Sequence, residues 1–139
     1  MSLNKNNYLL IILTLAILIL ILVAFSFIYH RKISKPTSQQ WKDIQKLLKN
    51  KQNWRQAITE ADKLLDETLK AKHYKGKTMG ERLVSAQHDI KTNDKVWYSH
   101  KLKNKLDSGE IKNINKDEVK EALLGFWLAL KDLGAFKTK

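Results

Sequence analysis

The pattern of hydrophobic and polar positions changes character once along this chain, from a solid apolar block to apolar residues recurring every three or four positions. From Tyr8 to Tyr29 (YLLIILTLAILILILVAFSFIY) there is no charge, and only Thr14 and Ser26 interrupt the run. At a rise of about 1.5 Å per residue such a helix is roughly 33 Å long, enough to cross the hydrocarbon core of a bilayer. The block therefore predicts a transmembrane helix. It is too long for the core of a cleaved signal peptide, and the SFIYHRKISK that ends it holds no Ala-x-Ala pattern, so a retained anchor is expected. Tyr8, Phe25, Phe27 and Tyr29 lie near its ends, where Tyr in particular suits the membrane interface.

Pro36 ends the helical pattern, because it lacks a backbone donor and disfavours helical geometry at Lys35. Residues 30–37 thus read as a basic juxtamembrane hinge. Beyond it the period is that of amphipathic helices. Trp41, Ile44, Leu47 and Leu48 predict a first one over 38–50, with Lys42, Lys46 and Lys49 on its other face; the two readings are a helix resting on anionic headgroups and one packed on the bundle, and Trp41 and Leu48 favour packing. Asn53 reads as the N-cap of a second helix, 54–72, with a stripe of Trp54, Ala57, Ile58, Ala61, Leu64, Leu65, Thr68 and Leu69. Gly76 marks the turn that follows. Thr78-Met79-Gly80-Glu81 has the spacing of a capping box and predicts a short helix carrying Leu83, Val84, Ala86 and Ile90. A fourth helix is expected over 94–107, with Val96, Trp97, Leu102 and Leu106 apolar. The last, 116–133, has Asn115 and Glu118 as its capping pair and a stripe of Val119, Ala122, Leu123, Phe126, Trp127, Leu130 and Leu133, with Gly134 at its C-cap.

No strand pattern or repeat appears. The expected fold class is all-α: one N-terminal transmembrane helix and a small helical bundle of about four main helices and one short one. The boundaries read as a polar tail at 1–7, the span at 8–29, the hinge at 30–37, the bundle at 38–136 and a C-terminal tail at 137–139. With 139 residues in all, one small domain fits beside the anchor and two do not.

Composition adds sidedness and removes chemistry. All but one of the 26 basic residues, and all 14 acidic ones, follow the span. By the positive-inside tendency the C-terminal domain faces the cytoplasm and the short N-terminal tail faces out. Only Arg31, Arg55 and Arg82 are Arg, which suits diffuse attraction by Lys better than bidentate recognition of phosphate or base. Cysteine is absent, so thiolate metal sites, disulfides and Cys nucleophiles are excluded. His30, His73, His88 and His100 are scattered without a His-x-x-x-His pair, and no metal or cofactor is expected. No Gly-rich phosphate loop follows a strand. Glu60, Asp62, Asp66 and Glu67 are taken as solvent-facing acids that pair with Lys.

The stretch Trp97 to Asn104 (WYSHKLKN) is the exception. His100 and Asn104 stand one above the other on a helix beside Trp97. Buried polar groups need partners, so the pair reads either as a tie to a neighbouring helix or as the remnant of a site.

Three segments carry a resemblance: Ala57-Ile58-x-Glu60-Ala61-Asp62-x-Leu64-Leu65, then Gly76-x-Thr78-Met79-Gly80-Glu81-Arg82-Leu83, then Trp97-x-x-His100-Lys101-x-Lys103-Asn104. Together they resemble a group of small bacterial single-span membrane proteins with helical domains. That domain in turn is similar to the HEPN class (higher eukaryotes and prokaryotes nucleotide-binding), helical bundles that include dimeric ribonucleases. In the class motif an Arg and a polar residue are followed by three further residues and then a His. Here Lys103, Asn104 and Ser108 stand at those places, so the resemblance implies a relative lacking the transition-state cation and the general acid/base. The expectation is a non-enzymatic, membrane-anchored binding or scaffold module. Its partners are the bilayer itself, anionic headgroups, and a protein or a second copy. The alternative is a HEPN-like nucleic-acid binder or residual ribonuclease using Lys101, Lys103, Asn104 and Lys105.

Overall fold

The computed structural model describes residues 4–30 and 35–136, and it divides into two units between Lys35 and Pro36. The start of the N-terminal tail, most of the hinge (31–34) and the tail 137–139 lie outside the described residues. Among the described residues every regular element is helical, with no strand.

The first unit is one helix, α1 (Lys5–His30), longer at its start than the apolar run alone indicates. Its Lys5–Phe25 segment is long and apolar enough to cross a membrane, and none of that segment is buried. Leu, Ile and Val side chains stand exposed all round it. Thr14 meets its own polar need locally, its hydroxyl donating to the Ile11 carbonyl (2.9 Å). Such back-bonding lets a hydroxyl sit in an apolar setting without an external partner.

The second unit contains α2 (Thr37–Leu47), a one-turn 3-10 helix (Lys51–Asn53), α3 (Trp54–Ala71), α4 (Met79–Ser85), α5 (Asn93–Asp107) and α6 (Lys116–Asp132). Central α3 packs against α2, α4, α5 and α6, and α5 pairs closely with α6. The 3-10 turn is an element the hydrophobic period does not signal. It displaces the expected capping: Asn50 caps the turn by accepting from Gln52 N–H (3.0 Å), while Asn53 precedes α3 without a side-chain cap bond. Trp54 then donates its indole N–H to the Leu48 carbonyl (3.0 Å), tying α3 back to the end of α2.

The other caps follow the local chemistry of their residues. At α6, Asn115 Oδ1 accepts from Asp117 and Glu118 N–H, and Glu118 returns the bond to Asn115 N–H, all at 2.9 Å. This satisfies the free amides of the first turn. At α4, Thr78 Oγ1 accepts from Glu81 N–H (3.2 Å), but Glu81 reaches one residue further back than a capping box requires, to Lys77 N–H (2.6 Å). Beyond α3 the chain turns through His73 (φ 64°), and Gly76, where the turn is expected, also has a positive φ (150°). Gly134 (φ 68°) takes that conformation after α6, where Ala135 N–H closes on the Leu130 carbonyl (2.9 Å).

The core gathers Ile58, Leu65 and Leu69 of α3, Leu83 of α4, Val96 and Leu106 of α5, and Phe126 and Leu130 of α6. Helix α2 adds Trp41 and Ile44 and leaves Lys42, Lys46 and Lys49 exposed. Val84 and Trp127 are less buried than their place in the apolar stripes suggests. Val84 is 53% exposed, because α4 ends at Ser85 and only Leu83, Ala86 and Ile90 turn inward. Trp127 is half-buried and stacks on Phe136 (6.3 Å between ring centres), which in turn meets the edge of Trp41 (6.2 Å).

The α5–α6 crossing depends on a missing side chain. A Cβ on Gly125 would run into Ser99 Oγ and lie 2.5 Å from the Lys95 carbonyl oxygen. Ser99 is itself fully buried and turns its hydroxyl back to that same carbonyl (2.8 Å). A glycine within a helix is destabilising by about 1 kcal/mol, so the close approach is the reason for it here. Gly125→Ala is expected to cost about 1–3 kcal/mol through overpacking, since a backbone carbonyl cannot step aside like a flexible side chain. A denaturant melt that leaves the midpoint unchanged would show that the helices are not in close contact there.

Candidate functional site

Polar chemistry in the second unit concentrates where α3, α4 and α5 meet. Asp62 on α3 and His100 on α5 are both buried, and His100 Nδ1 lies 2.7 Å from Asp62 Oδ1. A carboxylate only accepts, so Nδ1 carries the proton. In the neutral ring Nε2 is then an acceptor, and it receives the Asn104 side-chain amide at 3.2 Å. This is the helical i, i+4 neighbour, placed one turn along α5. Trp97 sets its ring edge-on to the imidazole, centres 6.1 Å apart. Gly80 at the start of α4 faces the same ring: a Cβ there would lie 3.8 Å from Trp97 and 3.9 Å from His100 Nε2.

Lys103 completes the cluster on its solvent side. Its ammonium bonds Asp107 at 2.8 Å and lies 3.8 Å from the second oxygen of Asp62. Burial pulls the Lys103 pKa down, but the bond to Asp107 and the charges of Asp62 and Asp107 outweigh that and leave it above its ordinary value. Asp62 is thus a buried hub and not the solvent-facing acid that its residue type suggested. The signal was in the spacing, since Asp62 stands four residues after Ile58 and three before Leu65, inside the apolar stripe. Glu67 is exposed as expected, and Glu60 is half-buried.

Asp66 forms a second tie one turn further along α3. The buried Arg82 of α4 donates to Asp66 Oδ1 through Nε (2.7 Å) and to the Gly76 carbonyl through a terminal nitrogen (2.7 Å). Lys70 bonds the other oxygen of Asp66 at 2.6 Å. Burial would raise the Asp66 pKa, but hydrogen bonds and charge from Lys70 and Arg82 prevail and hold it below 3.8. Nearby, Tyr74 donates to Asp89 (2.7 Å), and this bond, with burial, pushes the phenol up to about 12.

The geometry limits what this cluster can do. Both ring nitrogens of His100 are engaged within the domain, so proton exchange with a substrate would first require a bond to break. Lys103 is held by acids, Asn104 by His100, and Ser108 donates its hydroxyl to the Lys105 carbonyl (3.2 Å). Lys101 is exposed, and Lys105 pairs with Glu110 (3.1 Å). Among the described residues no group of three His, Asp or Glu could hold a metal ion.

A different surface is apolar. Between α2 and α6 an open groove of about 270 Å³ is lined by Trp41, Leu48, Leu123, Leu124 and Trp127, with Lys120 at its edge. Lys131 lies over the Trp127 ring (5.1 Å). Compared with protein-family models, with curated proteins and with solved structures, the chain finds no match in any of the three.

Two stability measurements test these ties. Asp62→Ala leaves His100 Nδ1 without a partner and is expected to cost about 1–3 kcal/mol. Asp62→Ala with His100→Leu should cost clearly less than the sum of the single changes in a melt-based cycle; simple additivity would mean that the bond contributes nothing. Because the folded pKa of Asp66 is depressed, its stabilisation is present above the unfolded value and is lost as pH falls through the folded value. Asp66→Asn should therefore flatten the loss of stability below pH 3.8, read by unfolding at stepped acid pH.

Proposed function

We propose that this protein is a membrane-tethered, non-catalytic helical binding module, held by α1 as a single span with the bundle on the cytoplasmic side. The observation that carries the reading is the exposed apolar surface of α1 along Lys5–Phe25. Burying such a surface is worth about 25 cal/mol per Å² of apolar area, and hydrocarbon offers that burial where water does not. Orientation rests on the excess of Lys and Arg after the span. A binding role in preference to catalysis is supported by the engagement of His100, Lys103 and Asn104 inside the domain. The groove between α2 and α6 supports the same role, since an apolar partner helix would displace water from Leu124 and Trp127.

The second reading is a HEPN-like nucleic-acid binder, favoured by the exposure of Lys101 and Asn104 on one helix beside the half-buried Trp97. Full-length protein in intact membranes should stay in the pellet after alkaline carbonate treatment, and a reporter fused after Lys139 that works only outside the cytoplasm should stay silent. Release into the supernatant would overturn the tether, and an active reporter the orientation. In non-ionic detergent the full chain should leave RNA uncut at low salt. RNA cleavage that Asn104→Ala abolishes would replace the first reading with the second.

A further inference from the structure

A concavity of about 210 Å³ lies where the 3-10 turn and the first turn of α3 face the connection between α5 and α6. Its walls bring three cations together from separate stretches of chain: Lys51, Arg55 and Lys112. Gln52 and Asn113 add neutral amides, and no carboxylate lines it. All five of these side chains are exposed, over a floor made by the buried Leu106 and half-buried Ile114. The acids closest in sequence are already engaged, Asp107 by Lys103 and Glu110 by Lys105. Like charges held around one hollow repel each other and raise the local positive potential, which an entering anion relieves.

We infer that this concavity binds a phosphate group, of the kind carried by an anionic lipid headgroup or by a small soluble phosphate ester. Arg55 supplies a planar fork that can take two phosphate oxygens at once, and Lys51 and Lys112 supply point charges on either side. The amides of Gln52 and Asn113 can donate to the remaining oxygens. The apolar floor offers no aromatic ring on which a base could stack, and stacking is the usual means of holding single-stranded RNA. The hollow therefore suits one compact phosphate better than a polynucleotide. The lipid source rests on the reading of α1 as a span. Between His30 and Thr37 the chain can reach at most about 25 Å, so a membrane-inserted α1 would keep the bundle close to headgroups.

The test uses the full chain in two settings. In non-ionic detergent, calorimetric titration with inorganic phosphate and with glycerol 3-phosphate reads the soluble source. In phosphatidylcholine nanodiscs with and without phosphatidic acid, native mass spectrometry reads retained lipid. Arg55→Gln/Lys112→Gln should weaken binding by at least about tenfold, the loss expected from removing two charge-assisted contacts. Lys63→Gln/Lys75→Gln makes the same change of charge at exposed positions elsewhere and should stay within about twofold of the parent. Unchanged melts for both variants exclude unfolding as the cause. Binding in either setting with this contrast supports the site, and the setting identifies the source. Equal losses in the two variants, or no binding in both settings, would overturn it. So would an RNA oligonucleotide that binds more tightly than the phosphates through the same two residues. Carbonate extraction is independent of these readouts: a released chain that still binds soluble phosphate would separate failure of the tether from failure of the site.

Discussion

The arrangement of the helical unit depends on a buried hydrogen bond between Asp62 and His100. Each group alone would be costly to remove from water, and together they leave two polar needs to be met. Those needs account for the neighbourhood. Asn104 occupies the free ring nitrogen, Lys103 stands near the second carboxylate oxygen, and Gly80 faces the ring where α4 begins. The bond thus selects among ways of pairing α3 with α5, because a rotation of either helix would leave a buried polar atom without a partner. Apolar packing alone tolerates such rotations more readily.

The two units answer to different physical demands. In the second, every charged group that enters the interior is matched, as Arg82 is by Asp66 and the Gly76 carbonyl, while the lysines of α2 remain in water. In α1 the demand is reversed: its apolar side chains stand exposed, and the Thr14 hydroxyl within the apolar run is satisfied by its own helix. A hydrocarbon surrounding would remove the cost of hydrating that surface. The proposal of a tethered module follows from this difference in solvent preference, and the basic concavity near Arg55 extends it from location to a ligand.

Much of the fold could be read from the chain because most of its helices have both a periodic apolar face and a local stop signal. Asn115 with Glu118 and Gly134 bracket α6, and Thr78 opens α4, for reasons confined to a few neighbouring residues. What was harder to read depends on contacts between distant residues. Asp62 has the residue type of a surface acid but the position of a core residue in the apolar stripe, and its partner lies 38 positions away. Trp127 and Val84 look like core residues by hydrophobicity, yet one lines a groove and the other faces solvent after α4 stops short. The basic concavity was not legible at all, since Arg55 and Lys112 meet only through tertiary folding.

The close approach at Gly125 has a consequence for how the sequence can drift. Ser99 and Gly125 share one small volume, and the smaller partner has no side chain left to lose. An enlargement at position 125 can be accommodated only by a reduction at 99 together with a retreat of the α5 backbone near Lys95. The two positions are therefore expected to vary as a linked pair in an evolving lineage. A substitution arriving at either one alone would have to be rescued by the other before it could persist.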